Sequence, residues 1–271
     1  MRQVQSSRWT RVPSMAMVLA IAALAAILCG AIAQAEVLGG ANVRASLDGW
    51  LTPHALPRSG VVPVALHMRG AVRTTDGREP PQLQRVTIAI NRNGEISTAG
   101  LPVCPKRSIQ STTTAKALAA CGGALIGSGS FSAHLAFPTQ APFPAFGRLL
   151  AFNSMVGGRH VILAHIYGKD PVPTSRVLEL KFQRPGHGTF GATLSMKMPQ
   201  FGEHWGYATG FSLTLHRLYT YQGEQRSLIS ASCPAPRGFN EAIFAAAKGT
   251  YYLADGREIT RVLHGTCKVR G

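Results

Sequence analysis

The sequence predicts an all-β protein: two antiparallel, sandwich-like units with two disulfides, preceded by a cleaved export signal. Three observations carry this expectation. Apolar residues recur with a period of two along most of the chain, as they do in strands with one buried and one solvated face. The 29 glycines and 17 prolines among 271 residues leave little room for long helices. Four cysteines follow an apolar leader, and an even count in an exported chain reads as a disulfide framework.

The elements follow in order. Arg2, Arg8 and Arg11 precede a nearly unbroken apolar run from Met15 to Ala33, which ends in Ala31-Ile32-Ala33-Gln34-Ala35. A positive start, an apolar middle and small-x-small sites are the parts of a secretory signal. Cleavage is expected after Ala35, with Ala33 as the rival site and a retained anchor as the alternative to cleavage. Leu28 before Cys29 does not suit lipidation. Domain boundaries are expected at 1–35 (signal), 36–172 (N-terminal β domain with a connecting hairpin) and 173–271 (C-terminal β domain).

Of the mature cysteines, Cys104 is expected to pair with Cys121 and Cys233 with Cys267, each bridge closing a loop within one half of the chain. Zinc is disfavoured because no C-x2-C pair exists.

Strand-like alternation marks Val86–Ile90, Gly129–Phe137, Leu178–Phe182 and Phe211–His216. Along 128–137, Phe131, Ala133 and Leu135 share one face with Gly129 and Phe137, while Ser128, Ser130, Ser132 and His134 share the other. Val161–Tyr167 is apolar on both faces and reads as a central strand covered on both sides. Asp76-Gly77, Asn93-Gly94, Asp255-Gly256 and Gly157-Gly158 read as hairpin turns. The helix candidates are short, Thr113–Ala120 and Asn240–Ala247, and the second also reads as a strand running into Tyr251-Tyr252.

A faint internal repeat matches Val64–Met68 with Ala192–Met196, then Val86–Ile90 with Phe211–Leu215, then Cys104-Pro105 with Cys233-Pro234. It suggests two related β units, roughly 41–137 and 177–271, joined by a proline-rich connection at 170–175.

Several segments resemble a group of uncharacterised, exported β-rich proteins of high-GC Gram-positive bacteria. They are Gly100–Pro105, Ala119–Gly122, Gln140–Pro144, Leu150–Asn153, His165–Tyr167 with Pro171–Thr174, Ser232–Pro234 and Ala254–Gly256. The resemblance spans nearly all of 60–268. It implies export and the four-cysteine frame, and it carries no assigned activity and no catalytic residue.

Chemistry is thinly signposted. Asp76, Glu79, Glu95, Asp255 and Glu258 fall at turns, where they serve the backbone. A carboxylate pair of the glycosidase kind would need Glu179 and Glu203 to meet. No H-E-x-x-H, G-x-S-x-G or phosphate-binding loop occurs. No catalytic residue, metal ligand or cofactor is therefore expected, and the reading leans away from an enzyme. The sharper signal is charge: 28 basic against 12 acidic residues give a formal net charge of +16, and loss of three arginines with residues 1–35 would leave +13. Such a field attracts anionic wall polymers or lipid headgroups outside the cell. Specific nucleic-acid binding is not expected, nor a transmembrane span once the signal is removed. The leading expectation is a secreted or envelope-associated, non-catalytic protein held electrostatically on anionic polymers or surfaces. The alternative is a carbohydrate- or small-ligand-binding module using one β face and the loop that carries His204, Trp205 and Tyr207. An orphan hydrolase comes last.

Overall fold

The computed structural model describes residues 42–137, 139–170, 172–183, 188–198 and 206–270. The signal segment and its cleavage sites, together with His204 and Trp205, lie outside the described residues.

The period-two pattern becomes strands almost everywhere. They are β1 (Val43–Thr52), β2 (Ala55–Leu56), β3 (Val62–Pro63), β4 (Ala65–Thr74), β5 (Leu83–Asn91) and β6 (Gly94–Ile96) before the helical segment. That segment holds α1 (Lys106–Ile109) and α2 (Thr114–Cys121). Then come β7 (Leu125–Leu135), β8 (Phe143–Val156), β9 (Arg159–Gly168), β10 (Thr174–Gln183), β11 (Phe190–Lys197) and β12 (Gly206–Leu215). The chain ends with β13 (Leu218–Tyr221), β14 (Glu224–Ser227), β15 (Ile229–Ala231), β16 (Glu241–Leu253) and β17 (Glu258–Val269). The helix at 113–120 forms, with Thr113 Oγ1 accepting from the Lys116 amide at its N-cap. Residues 241–247 are strand: they open β16, which pairs with β17 along its length and with β5 from Ala247 onward.

Among the described residues, twelve strands join one sheet in the order β1-β4-β12-β7-β8-β9-β10-β11-β5-β16-β17-β2. The succession β1-β4-β12-β7-β8 is repeated by β10-β11-β5-β16-β17, with β9 as the link. The repeat seen in the sequence is thus present in the topology, but its two copies exchange a strand. β12 of the second copy sits in the first half-sheet and β5 of the first copy sits in the second. The pairings are reciprocal and keep the same faces: Met68 lies opposite Leu213, and Met196 opposite Val86. The boundary expected near 172 therefore separates no two bodies, and all described residues belong to one compact unit.

The sheet rolls until β1 packs against β16 and β17. Side chains rather than a ladder make this seam. The Tyr251 hydroxyl donates to the Ser46 carbonyl (2.9 Å) and Arg261 Nε donates to the Ala45 carbonyl (3.0 Å). One core cluster fills the interior, with Val43, Met68, Val86, Ile88, Leu149, Ile162, Leu180, Leu194, Leu213 and Ile259 among its buried members. A small sheet of β3, β15 and β6 caps one end. Asn93-Gly94 accordingly turns the chain into this cap rather than forming a hairpin. Asp76-Gly77 likewise links β4 to β5, which are not neighbours. Gly157-Gly158 and Asp255-Gly256 do close hairpins, β8–β9 and β16–β17.

The doubly apolar strand is covered on both faces, as its sequence indicates. Residues 161–166 are all buried. Ile162, Ala164 and Ile166 face the interior, while Val161 and Leu163 pack with Leu150 and Phe152 against Ile109, Ala117, Cys104 and Cys121. Both expected disulfides, Cys104–Cys121 and Cys233–Cys267, are formed. Among the described residues, no helix is long and apolar enough to cross a membrane.

Candidate functional site

The end opposite the cap is not filled. Inward-facing positions there hold small residues, Ala133, Ala145, Gly147, Gly168 and Ala208, where the middle of the sheet holds Leu, Ile and Met. Without branched side chains the two layers cannot close, and a chamber of about 110 Å³ remains, walled by Phe131, Leu135, Ile166, Leu178 and Met198. It adjoins a deeper chamber of about 60 Å³ bounded by Met68, Leu149, Ala164, Leu180, Phe211 and Tyr251. The two share Leu83, Phe131, Ile166, Leu178, Met198 and Ala208 in their walls, so they form one apolar channel into the core.

Polar groups gather at the outer chamber. Gln82, Asp170, Thr174 and Arg176 line it. Gln82 Nε2 is buried and, among the described residues, has no hydrogen-bond partner. A buried amide donor in that state costs free energy until an acceptor arrives. Deeper in, burial raises the Tyr251 hydroxyl far above its ordinary range, so it stays protonated and donates to Ser46. At the lip, Phe146 is 70% exposed and Val172 52% exposed.

Of the residues expected to bind ligand, Tyr207 borders the outer chamber. Glu179 is held by Lys106 Nζ at 2.8 Å, and Glu203 lies outside the described residues. The serine face is occupied by separate polar pairs: Ser130 Oγ lies 2.9 Å from Ser212 Oγ, Thr209 Oγ1 donates to Ser132 Oγ, and the Glu79 carboxylate lies 2.8 Å from His134 Nδ1. His165 is fully buried, its Nε2 donating to the Thr112 carbonyl (3.0 Å), and desolvation lowers its pKa. Among the described residues, no group of three or more His, Cys, Asp and Glu stands together to hold a metal ion.

Sequence reasoning missed Gln82, Asp170 and Arg176. The signal available was the run of glycines and alanines on the apolar side of strands such as β7, which foretold a thin-walled interior. Which strand would face that side was not readable, because the facing strand comes from the other copy of the repeat.

Fold and chamber together define a class: a rolled, disulfide-bonded β protein with a hollow apolar interior. No family model, no curated protein and no solved structure matches the chain.

Proposed function

We propose that this protein binds a small apolar ligand with an oxygen acceptor at one end, holding the apolar part in the channel and the acceptor at Gln82. The carrying observation is an apolar two-chamber interior whose outer chamber is also lined by Gln82, Thr174 and Arg176. Apolar cavities of on the order of 150 Å³ bind benzene-sized molecules, and the two chambers, open at the rim, are of that scale. Arg176 and Thr174 at the same wall favour a carboxylate or another oxygen-rich head. The two disulfides fit an oxidising compartment outside the cytoplasm.

The test is titration with a fluorescent fatty acid and a neutral hydrocarbon dye. Saturable binding of both is expected. Ala133→Trp and Ala208→Trp, which fill the outer chamber, should each weaken binding at least tenfold without changing the β signature in circular dichroism. Unchanged binding by both variants would sink the reading.

A second reading, electrostatic association with anionic polymers or surfaces, is favoured by a separate observation. Arg44 and Arg73 are both exposed and lie directly opposite each other in the β1–β4 ladder. Like charges so placed repel, and a bound anion relieves the repulsion. Co-sedimentation with anionic wall polymer that fades steeply with sodium chloride is the outcome expected from it.

A further inference from the structure

The lip of the channel carries two features that its interior does not need. Phe146 and Val172, large apolar side chains, stand 70% and 52% exposed where water should disfavour them, and both border the outer chamber. They come from neighbouring parts of the rim, the start of β8 and the connection from β9 to β10. Around them stand Arg148, Lys169 and Arg176, all exposed, with Asp170 as the acid among them. Tyr167 lies opposite Arg148 in the β8–β9 ladder.

Exposed aromatic and aliphatic side chains ringed by cations, with a tyrosine at the same level, match the interfacial zone of a bilayer. Apolar groups enter the acyl boundary there and basic groups meet anionic heads. We propose that this rim docks on the surface of an anionic lipid membrane and that the channel takes its ligand, a short-chain amphiphile, directly from the bilayer. The inference rests on the apolar-ligand reading of the channel and names where that ligand is met. It also explains the composition of the rim. Docking turns Phe146 and Val172 from solvent-exposed surface into buried surface, and it sets the open end of an apolar channel against an apolar phase. An amphiphile then passes from bilayer to chamber tail first without crossing water, its head remaining near Arg176 and Gln82.

The experiment uses the full chain in flotation with vesicles of phosphatidylcholine alone or mixed with phosphatidylglycerol. It also measures transfer of a fluorescent fatty acid out of the same vesicles. Flotation is expected only with the anionic vesicles, weakening as salt is raised. Phe146→Ser with Val172→Ser should reduce flotation and transfer about tenfold, and by clearly more than it weakens binding of the probe from solution, since both side chains also border the chamber. Arg148→Glu with Lys169→Glu should abolish the preference for phosphatidylglycerol. If the Phe146/Val172 variant floats and transfers like the parent, the docking surface is refuted even though solution binding stands. Loss of solution binding in the parent instead removes the channel reading beneath it. Binding to soluble anionic polymer as tight as to vesicles, and equally insensitive to Phe146→Ser, would overturn the lipid surface in favour of the polymer.

Discussion

His165 and Gln82 are both polar groups in apolar surroundings, and they behave differently. His165 has a partner for its N–H in the Thr112 carbonyl, and desolvation holds its pKa below 6.5. His67 is lowered too, by burial and by Arg69, His216 and His54. A histidine depressed in the folded state binds its proton more readily when unfolded. The stability it contributes is therefore complete above pH 6.5 and is lost as pH falls through the depressed value. Urea midpoints should drop between pH 7 and pH 5, and His165→Gln, which keeps a donor for Thr112, should flatten much of that slope. An unchanged slope would move the effect elsewhere. Gln82 Nε2 has no partner among the described residues. Gln82→Leu should stabilise the ligand-free protein by about 1 kcal/mol by removing a buried unmet donor. The same change should weaken binding of a carboxylate probe several-fold and spare a hydrocarbon probe, which calorimetry can check.

Elements differ in how much of them is local. The Cys104–Cys121 bridge, α1 and α2 form a cover that buries the outer faces of Leu150, Phe152, Val161 and Leu163. Cys104→Ser with Cys121→Ser should cost about 3 kcal/mol, the loop-closure value for 17 residues of separation. Hydrogen exchange should rise first in β9, whose outer face the cover protects. β7 and β12 approach so closely that a Cβ on Gly129 would stand 1.9 Å from the Ser212 carbonyl oxygen. Gly129→Ala should therefore destabilise by about 1–3 kcal/mol through forced backbone displacement, read as a lower thermal midpoint. The doubly apolar pattern of β9, the Gly157-Gly158 hairpin and α2 with its Thr113 cap were legible, because each is encoded by residues close in sequence. The hairpins expected at Asp76-Gly77 and Asn93-Gly94 were not formed. Turn chemistry fixes a change of direction, and only long-range pairing decides which strand lies alongside.

Across the whole molecule, the exchanged strands β5 and β12 interlock the two copies of the repeat. Residues 42–172 expressed alone would lack β11 and β16, the partners of β5, and the complementary piece would lack β4 and β7, the partners of β12. Neither should fold alone, while the two mixed should recover the β signature in circular dichroism. A stable, cooperatively unfolding half would contradict the interlock. The chain by itself determined the β class, both cysteine pairings, the duplicated pattern and the basic excess, because alternation, spacing and charge are properties of neighbours along the backbone. Only the tertiary structure decided that the copies share one rolled sheet and that small residues from strands far apart in sequence meet and leave a channel open. It also placed Gln82 and Arg176 on the wall of that channel. Emptiness is a property of facing surfaces, and which surfaces face each other is set by pairings that span more than a hundred residues.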